Sequence, residues 1–221
     1  MKKILTLSIL PIVFASSAFA GSSYVTGNVQ FHTDAQPNAT STLEAGHTFD
    51  TGTTILTEFD GISLGKYDDD TIQDAREGYS PYITLGIEQS YAFNDHLWVA
   101  IGYHHLINNG ETVQERPLVK IGYNFDNGIS ISNRTRYHFV KDGEDQIRFD
   151  NRISYSATEQ LALSYNNVYV RNDGDADNSM DHELRATWTR LGVQPYFEYR
   201  NQGNGTDNTN NAFVFGASYV F

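Results

Sequence analysis

Residues 213–221 read Phe213-Val214-Phe215-Gly216-Ala217-Ser218-Tyr219-Val220-Phe221. Phe213, Phe215, Tyr219 and Phe221 share one parity, and Gly216 and Ser218 share the other. Successive side chains of a strand point to opposite faces, so this stretch has one large apolar face and one small or polar face. The same period of two governs Val99-Ala100-Ile101-Gly102-Tyr103 and Ile129-Ser130-Ile131-Ser132-Asn133, and no convincing helical stripe interrupts it after Tyr24. An all-β chain follows.

Outward from that segment, tight turn signals fall at Asp50-Thr51-Gly52, Asn94-Asp95-His96, Asp126-Asn127-Gly128 and Arg190-Leu191-Gly192. Asp-Asn-Gly suits a short hairpin because asparagine and glycine tolerate positive φ. Longer polar connections lie between them: Gly65 to Gly78, Asn108 to Glu115, Arg171 to Met180 and Asn201 to Asn210. Alternating short and long connections are the pattern of a transmembrane antiparallel β-barrel with short periplasmic turns and longer extracellular loops. The expected strands are Ser23–His32, Ser41–Phe49, Thr53–Leu64, Tyr79–Phe93, Leu97–Ile107, Arg116–Phe125, Ile129–Phe139, Gln146–Tyr155, Leu161–Val170, His182–Thr189, Val193–Arg200 and Ala212–Phe221. That makes twelve, each near the ~9–11 residues a spanning strand needs. Ten or fourteen strands are also compatible with so weak a signal per segment.

Aromatics mark the ends of these strands. Phe49, Phe93, Phe125, Tyr155, Trp188 and Phe221 close the descending strands, and Phe31, Phe59, Tyr103, Phe139, Tyr169 and Tyr199 lie toward the outer ends of the ascending ones. Two such girdles belong at the two water boundaries of a bilayer. The N-terminus carries an export leader: Lys2 and Lys3, a mostly apolar Ile4 to Ala15, and the small-x-small site Ala18-Phe19-Ala20. Residues 1–20 are therefore expected to be removed, leaving residues 21–221 as one barrel domain. With no lipobox cysteine, such a leader is compatible with periplasm, outer membrane or medium. The barrel pattern selects the outer membrane, with contacts to its lipid and lipopolysaccharide.

The 221 residues include no cysteine, 15 basic and 27 acidic residues, for a formal net charge of −12. Absence of cysteine excludes disulfide, thiolate-zinc and cysteine-nucleophile chemistry. So acidic a chain is a poor nucleic-acid binder, because that affinity comes largely from neutralised phosphates. No cofactor is implied. His96, His104, His105 and His138 lack a metal-ligand spacing. Asp68-Asp69-Asp70 and Asp173-x-Asp175-x-Asp177 offer oxygen ligands, but the latter lacks the distal glutamate of a calcium loop.

Placing the apolar parity against lipid sends the other parity inward. Arg116, Lys120, Arg134, Arg136, Arg148, Arg152, Arg185 and Arg200 then face the lumen, the first six from three consecutive strands forming one basic wall. Glu44, Glu58, Glu88, Glu183 and Glu198 take the same inward parity, mainly on other strands, with Asp150 beside Arg148 and Arg152. Two roles compete for these charges. They can pair across the barrel and fill it, as in small barrels. They can also form a ladder of guanidinium groups that passes a carboxylate from site to site.

Several segments resemble one family in order and spacing: His105-Leu106-Ile107-Asn108-Asn109-Gly110 ahead of Val119-Lys120, Asn133-Arg134-Thr135-Arg136-Tyr137, Arg148-Phe149-Asp150 with Ile153-Ser154-Tyr155, Pro195-Tyr196-Phe197-Glu198-Tyr199, and the final strand. The likeness is to the oligogalacturonate-specific porins, which include the sialic acid channel of enteric bacteria. It implies a monomeric twelve-stranded channel for acidic mono- or oligosaccharides, with Arg134 and Arg136 as track residues and Arg148 and Lys120 as their neighbours. The first third departs from the family pattern: Glu44, Glu58 and Glu88 stand where a second basic track would be expected.

An outer-membrane phospholipase also fits twelve strands and a histidine before Asn-Gly. In His104-His105-Leu106-Ile107-Asn108-Asn109-Gly110, however, isoleucine or asparagine fills the nucleophile position. A non-conducting adhesion barrel would need long apolar loops, and these are polar and acidic. The terminal aromatic strand suits recognition by the barrel-insertion machinery. Deleting Phe221 is therefore expected to lower the yield of heat-modifiable, folded protein in outer membranes strongly; normal yield would contradict the assigned register of this strand.

Overall fold

The computed structural model describes residues 21–35, 37–64, 80–203 and 209–221. The leader and the Gly65 to Gly78 connection, with Asp68, Asp69, Asp70, Asp74 and Glu77, lie outside the described residues. Twelve strands follow in order: β1 (Ser22–His32), β2 (Ala39–Thr48), β3 (Thr53–Ser63), β4 (Tyr82–Ala92), β5 (Leu97–Asn108), β6 (Glu111–Asn124), β7 (Ile129–Val140), β8 (Gln146–Ser156), β9 (Leu161–Asn172), β10 (Ser179–Trp188), β11 (Val193–Gly203) and β12 (Thr209–Val220). Each pairs antiparallel with its sequence neighbours, and β12 pairs with β1 to close the ring. Closure leaves no unpaired sheet edge, which hydrocarbon requires.

The two parities separate as the alternation demands. On β12, Phe213, Phe215 and Tyr219 are exposed on the outer wall, whereas Val214 and Ser218 are buried. Ile101, Val119, Ile121, Ile131 and Leu184 are likewise exposed, against inward Ala100 and Leu118. So continuous an apolar exterior needs an apolar solvent. The periplasmic-end aromatics Phe49, Phe93, Phe125, Tyr155, Trp188 and Phe221 are all exposed. At the other rim Phe31, Tyr103 and Phe139 are exposed, and Phe59, Tyr169 and Tyr199 are half-buried.

Local chemistry shapes the turns. After β2, the Phe49 amide donates to the Thr53 carbonyl at 2.8 Å, and Gly52 takes φ +80°. After β6 the Phe125 amide donates to Ile129 at 2.9 Å, with Gly128 at φ +84°. A left-handed glycine at the end of a three-residue loop is a common hairpin solution. In Asp126-Asn127-Gly128 only the glycine takes positive φ; Asn127 instead accepts the Ile129 amide through its side chain at 3.2 Å.

The structure corrects several boundaries. The polar stretch Asn108 to Glu115 is not a long loop. Asn109 (φ +51°) and Gly110 (φ +81°) make a two-residue hairpin, and Glu111 opens β6 directly. Strands β10 and β11 also extend past their expected outer ends, to Ser179 and Gly203, while β4 starts at Tyr82 and not Tyr79. Above the bilayer a strand has no need of an apolar face, so its polar extension is indistinguishable from loop by composition. Ala100, on the inward parity, is packed at 2 % exposure against its neighbours.

The two faces are expected to respond oppositely to charge. Ile121→Lys, on the outer wall, should lower folding stability by about 2–4 kcal/mol if it sits at the midplane. Thr42→Lys, inward and beside Asp60, should cost less than half as much in the same denaturant titration. Equal losses would invert the assignment of faces.

Candidate functional site

Inward residues of the ring converge on one cavity of about 350 Å³, and all eight basic side chains expected in the lumen line it. Their grouping follows from register. Arg134 lies directly across from Asp150, and Arg136 directly across from Arg148. The aspartate consequently gathers three arginines: Arg134 Nε at 3.0 Å and Arg136 Nη2 at 3.4 Å from Oδ2, and Arg148 Nη2 at 2.8 Å from Oδ1. Asp150 is 6 % exposed, and one carboxylate cannot occupy every donor of three guanidinium groups. The Arg136 Nε is buried and has no hydrogen-bond partner among the described residues.

Two further knots flank this one. Glu88 accepts from Lys120 Nζ at 2.5 Å and lies 2.9 Å from His104 Nε2. Glu198, 1 % exposed, bonds Arg185 Nε at 2.5 Å through one oxygen and Arg200 Nε through the other. Arg116 donates to Gln114 at 2.6 Å and has no carboxylate within ion-pair distance among the described residues. Arg152 also lines the cavity, from the same face of β8.

Across the ring the charge reverses. β2 and β3 stand six strands away from β8 and β9 in the closed order of twelve. They present Glu44, Glu58 and Asp60 to the same cavity. Glu44 and Glu58 are direct register partners; Glu44 also accepts the Tyr24 hydroxyl at 2.6 Å, and Asp60 accepts Thr42 at 2.5 Å. Asp60 and Asp181, both lining the cavity, were absent from the inward acids expected from sequence. Counting Glu198 behind its arginines, eight basic residues meet eight acidic ones among the described lumen residues. The lumen is thus formally neutral and strongly segregated: basic over β6–β8, acidic over β2–β4.

The sequence reading named aromatics only for the two girdles and singled out none of the three that fill the lumen. Tyr24, Trp98 and Tyr196 are buried and point inward. Each lies directly opposite a glycine on the next strand, Gly46, Gly122 and Gly216 respectively. A Cβ on Gly122 would sit 2.3 Å from the Trp98 ring. The Arg185 guanidinium stacks 4.2 Å from the Tyr196 ring centroid. The available signal was an inward-parity glycine facing an inward-parity aromatic, which requires the register to be read.

His104 is engaged by Glu88, with no serine hydroxyl bonded to it among the described residues, so the dyad of a hydrolase is not assembled there. The model of the oligogalacturonate-specific porin proteins (KdgM) matches residues 14–221. The chain belongs to the oligogalacturonate-specific porin family. Solved porins of this kind share the fold. A NanC porin superposes with a TM-score of 0.74 at 13% identity, covering 88% of this chain and 98% of that one. A KdgM porin gives 0.69 at 15% identity, covering 90% and 99%. A KdgM porin in complex with disordered oligogalacturonate gives 0.71 at 15%, with the same coverage. No curated protein sequence matches the chain. Family and closed barrel together imply the outer membrane and point to a channel rather than an enzyme.

The Glu198 knot is expected to be structural. Glu198→Gln would leave Arg185 without its ion-pair partner and Arg200 with only Glu183 at 4.0 Å, and should lower stability by about 3 kcal/mol. The exposed pair Arg171 to Asp173 offers a control: Asp173→Asn should shift the urea midpoint by well under the equivalent of 1 kcal/mol. Similar midpoints for both variants would show that water already solvates the arginines.

Proposed function

We propose that the chain is a monomeric diffusion channel for acidic mono- or oligosaccharides, of the oligogalacturonate or sialic acid type. In this reading it is exported by a leader cleaved after Ala20 and inserted by machinery that reads its Phe221 end. Its girdles meet lipid and lipopolysaccharide. The observation that carries the reading is the knot on Asp150, where three arginines share one carboxylate. Guanidinium donors are left over from that sharing, because one carboxylate cannot occupy those of three arginines that line the cavity. A pairing network built only to fill the barrel would match charges locally. The free volume of about 350 Å³ also falls within the range of small-molecule sites. That a related KdgM porin has been solved with oligogalacturonate supports the same ligand class here.

Arg116, Lys120, Arg134, Arg136, Arg148 and Arg152 serve as the basic track, and Arg185 and Arg200 continue it toward β11. A uronate carboxylate exchanges between guanidinium forks, each weak enough to release it because Asp150 or Glu198 competes for the same donors. Net neutrality of the lumen does not abolish anion preference. Field is focused where low-dielectric walls enclose one sign of charge, and that is the β6–β8 sector. Exposed acids at the mouths are screened over about 8–10 Å at physiological salt.

In planar bilayers under a salt gradient, the reversal potential is expected to favour chloride over potassium. Replacing Arg134 and Arg136 together by glutamine should move it toward cations and slow an acidic oligosaccharide more than a neutral one. A cation-selective wild type, or a double variant with unchanged selectivity, would remove the track mechanism and leave the barrel intact.

A further inference from the structure

Besides the main cavity the lumen holds a smaller recess beside Trp98, and we infer that it is a binding site for a single small inorganic anion such as chloride. The site goes beyond the saccharide reading, since it is filled whichever sugar the lumen passes. Register builds it. Trp98, Gly122, Ser132, Arg152 and Asn166 follow one another directly across β5 to β9, and Lys120, Arg134 and Asp150 form the next inward row on β6 to β8. Side chains of both rows line a space of about 40 Å³. That is room for one small guest and not for a sugar ring.

Gly122 makes the recess possible by letting the indole lie across β6. A Cβ at Gly122 would meet the ring atoms Cε2, Cζ2 and Nε1 at 2.3, 2.3 and 2.6 Å. The nitrogen-bearing edge of the ring is therefore the edge turned over β6, on the side where Ser132, Arg152 and Asn166 complete the lining. Trp98 is 4 % exposed, and its Nε1–H has no hydrogen-bond partner among the described residues. A buried donor left in that state is costly, so a guest that accepts a hydrogen bond is favoured beside it.

The chemistry of the lining selects that guest. Indole, ammonium and guanidinium groups donate hydrogen bonds and accept none, and the Ser132 hydroxyl can donate as well. Asp150 is the one carboxylate on the recess, and both its oxygens already accept from arginines. A water placed here brings two hydrogens that need acceptors. A monatomic anion brings none and can take several donors at once. Charge selects in the same direction: Lys120, Arg134 and Arg152 set three positive charges against the single negative charge of Asp150. Glu88 and Glu183 lie outside this lining, where Glu88 holds Lys120 and Glu183 accepts from the Asn166 amide. Walls of low dielectric focus the positive excess on the enclosed space.

The test is a halide titration of the full barrel in lipid nanodiscs, read by NMR of isotope-labelled indole N–H groups. The chain has 2 tryptophans, and Trp188, exposed on the lipid-facing wall, is the control within the same spectrum. Trp188→Phe assigns the two signals. With ionic strength held by a bulky sulfonate salt, the Trp98 signal is expected to move saturably as chloride or bromide rises, while Trp188 stays in place. Arg152→Gln should weaken the apparent chloride affinity by roughly tenfold or more, and Ser132→Ala by about fivefold, as expected for one charge-assisted and one neutral hydrogen bond. A Trp98 signal that stays still, or moves in step with Trp188, would mean that the recess holds water alone and would overturn the inference. A shift produced by galacturonate at lower concentration than by chloride would overturn it too, making the recess one more station for saccharide carboxylates. The wild type decides these outcomes even if Arg152→Gln does not fold, and unchanged chloride affinity in Ser132→Ala and Arg152→Gln would remove the assigned lining. Failure of the saccharide reading is seen elsewhere, as equal flux of acidic and neutral sugars, and leaves the halide titration unaffected.

Discussion

In hydrocarbon an unpaired backbone amide costs several kcal/mol, so a sheet that crosses a bilayer must close upon itself. Here β12 meets β1 from the Tyr24–Val220 pair to the His32–Ala212 pair, and every other strand is paired on both sides. Once the ring is closed, side-chain parity has only two destinations. Large apolar groups must take the outside, and charges at bilayer depth must take the inside. The composition of the lumen is thus a consequence of closure. Any inward charge has to find a counter-charge, a dipole or water within a space of a few hundred cubic ångströms.

The barrel meets that demand in an uneven way. Lys120 stands across from Arg134, Arg136 across from Arg148, and Glu44 across from Glu58. Each of those pairings opposes like charges on one face of the sheet, where opposite charges would be more stable. Sharing one aspartate among three arginines and one glutamate between two offsets part of the cost, since charge-assisted hydrogen bonds are the strong ones. Departures from local optimality of this kind concentrate where a protein must bind something. In a channel they also keep each site from holding its ion too tightly.

Volume is managed by a different device. A ring of twelve strands would leave a wide bore, and Tyr24, Trp98 and Tyr196 reduce it from within. Each ring lies on a glycine of the adjacent strand, close enough to exclude even a methyl group in the case of Gly122. Packing an aromatic face over inward glycine covers the backbone that glycine leaves bare and pins the register of the two strands. The same contacts bring Tyr24 to Glu44 and Tyr196 beneath Arg185, so the residues that narrow the bore also orient the charges lining it.

Alternation in Phe213 to Phe221 and its counterparts, the glycine-ended turns and the aromatic strand ends determine an all-β barrel with these residues out and those in. They also place all eight basic side chains in the lumen, because parity is a local property with a period of two. What sequence could not supply is anything that depends on which strand faces which. Polar extensions such as Asn108 to Glu115 read as loop, because water rewards no apolar face above the membrane. Tyr24, Trp98 and Tyr196 stayed unassigned, because what seats an inward aromatic is the glycine across from it on the next strand. The gathering of Arg134, Arg136 and Arg148 on Asp150, and the meeting of Glu44 and Glu58 on adjacent strands, belong to the tertiary structure alone. Register and ring order set the distances between charges far apart in the chain, and electrostatic energy depends on those distances and not on position in sequence.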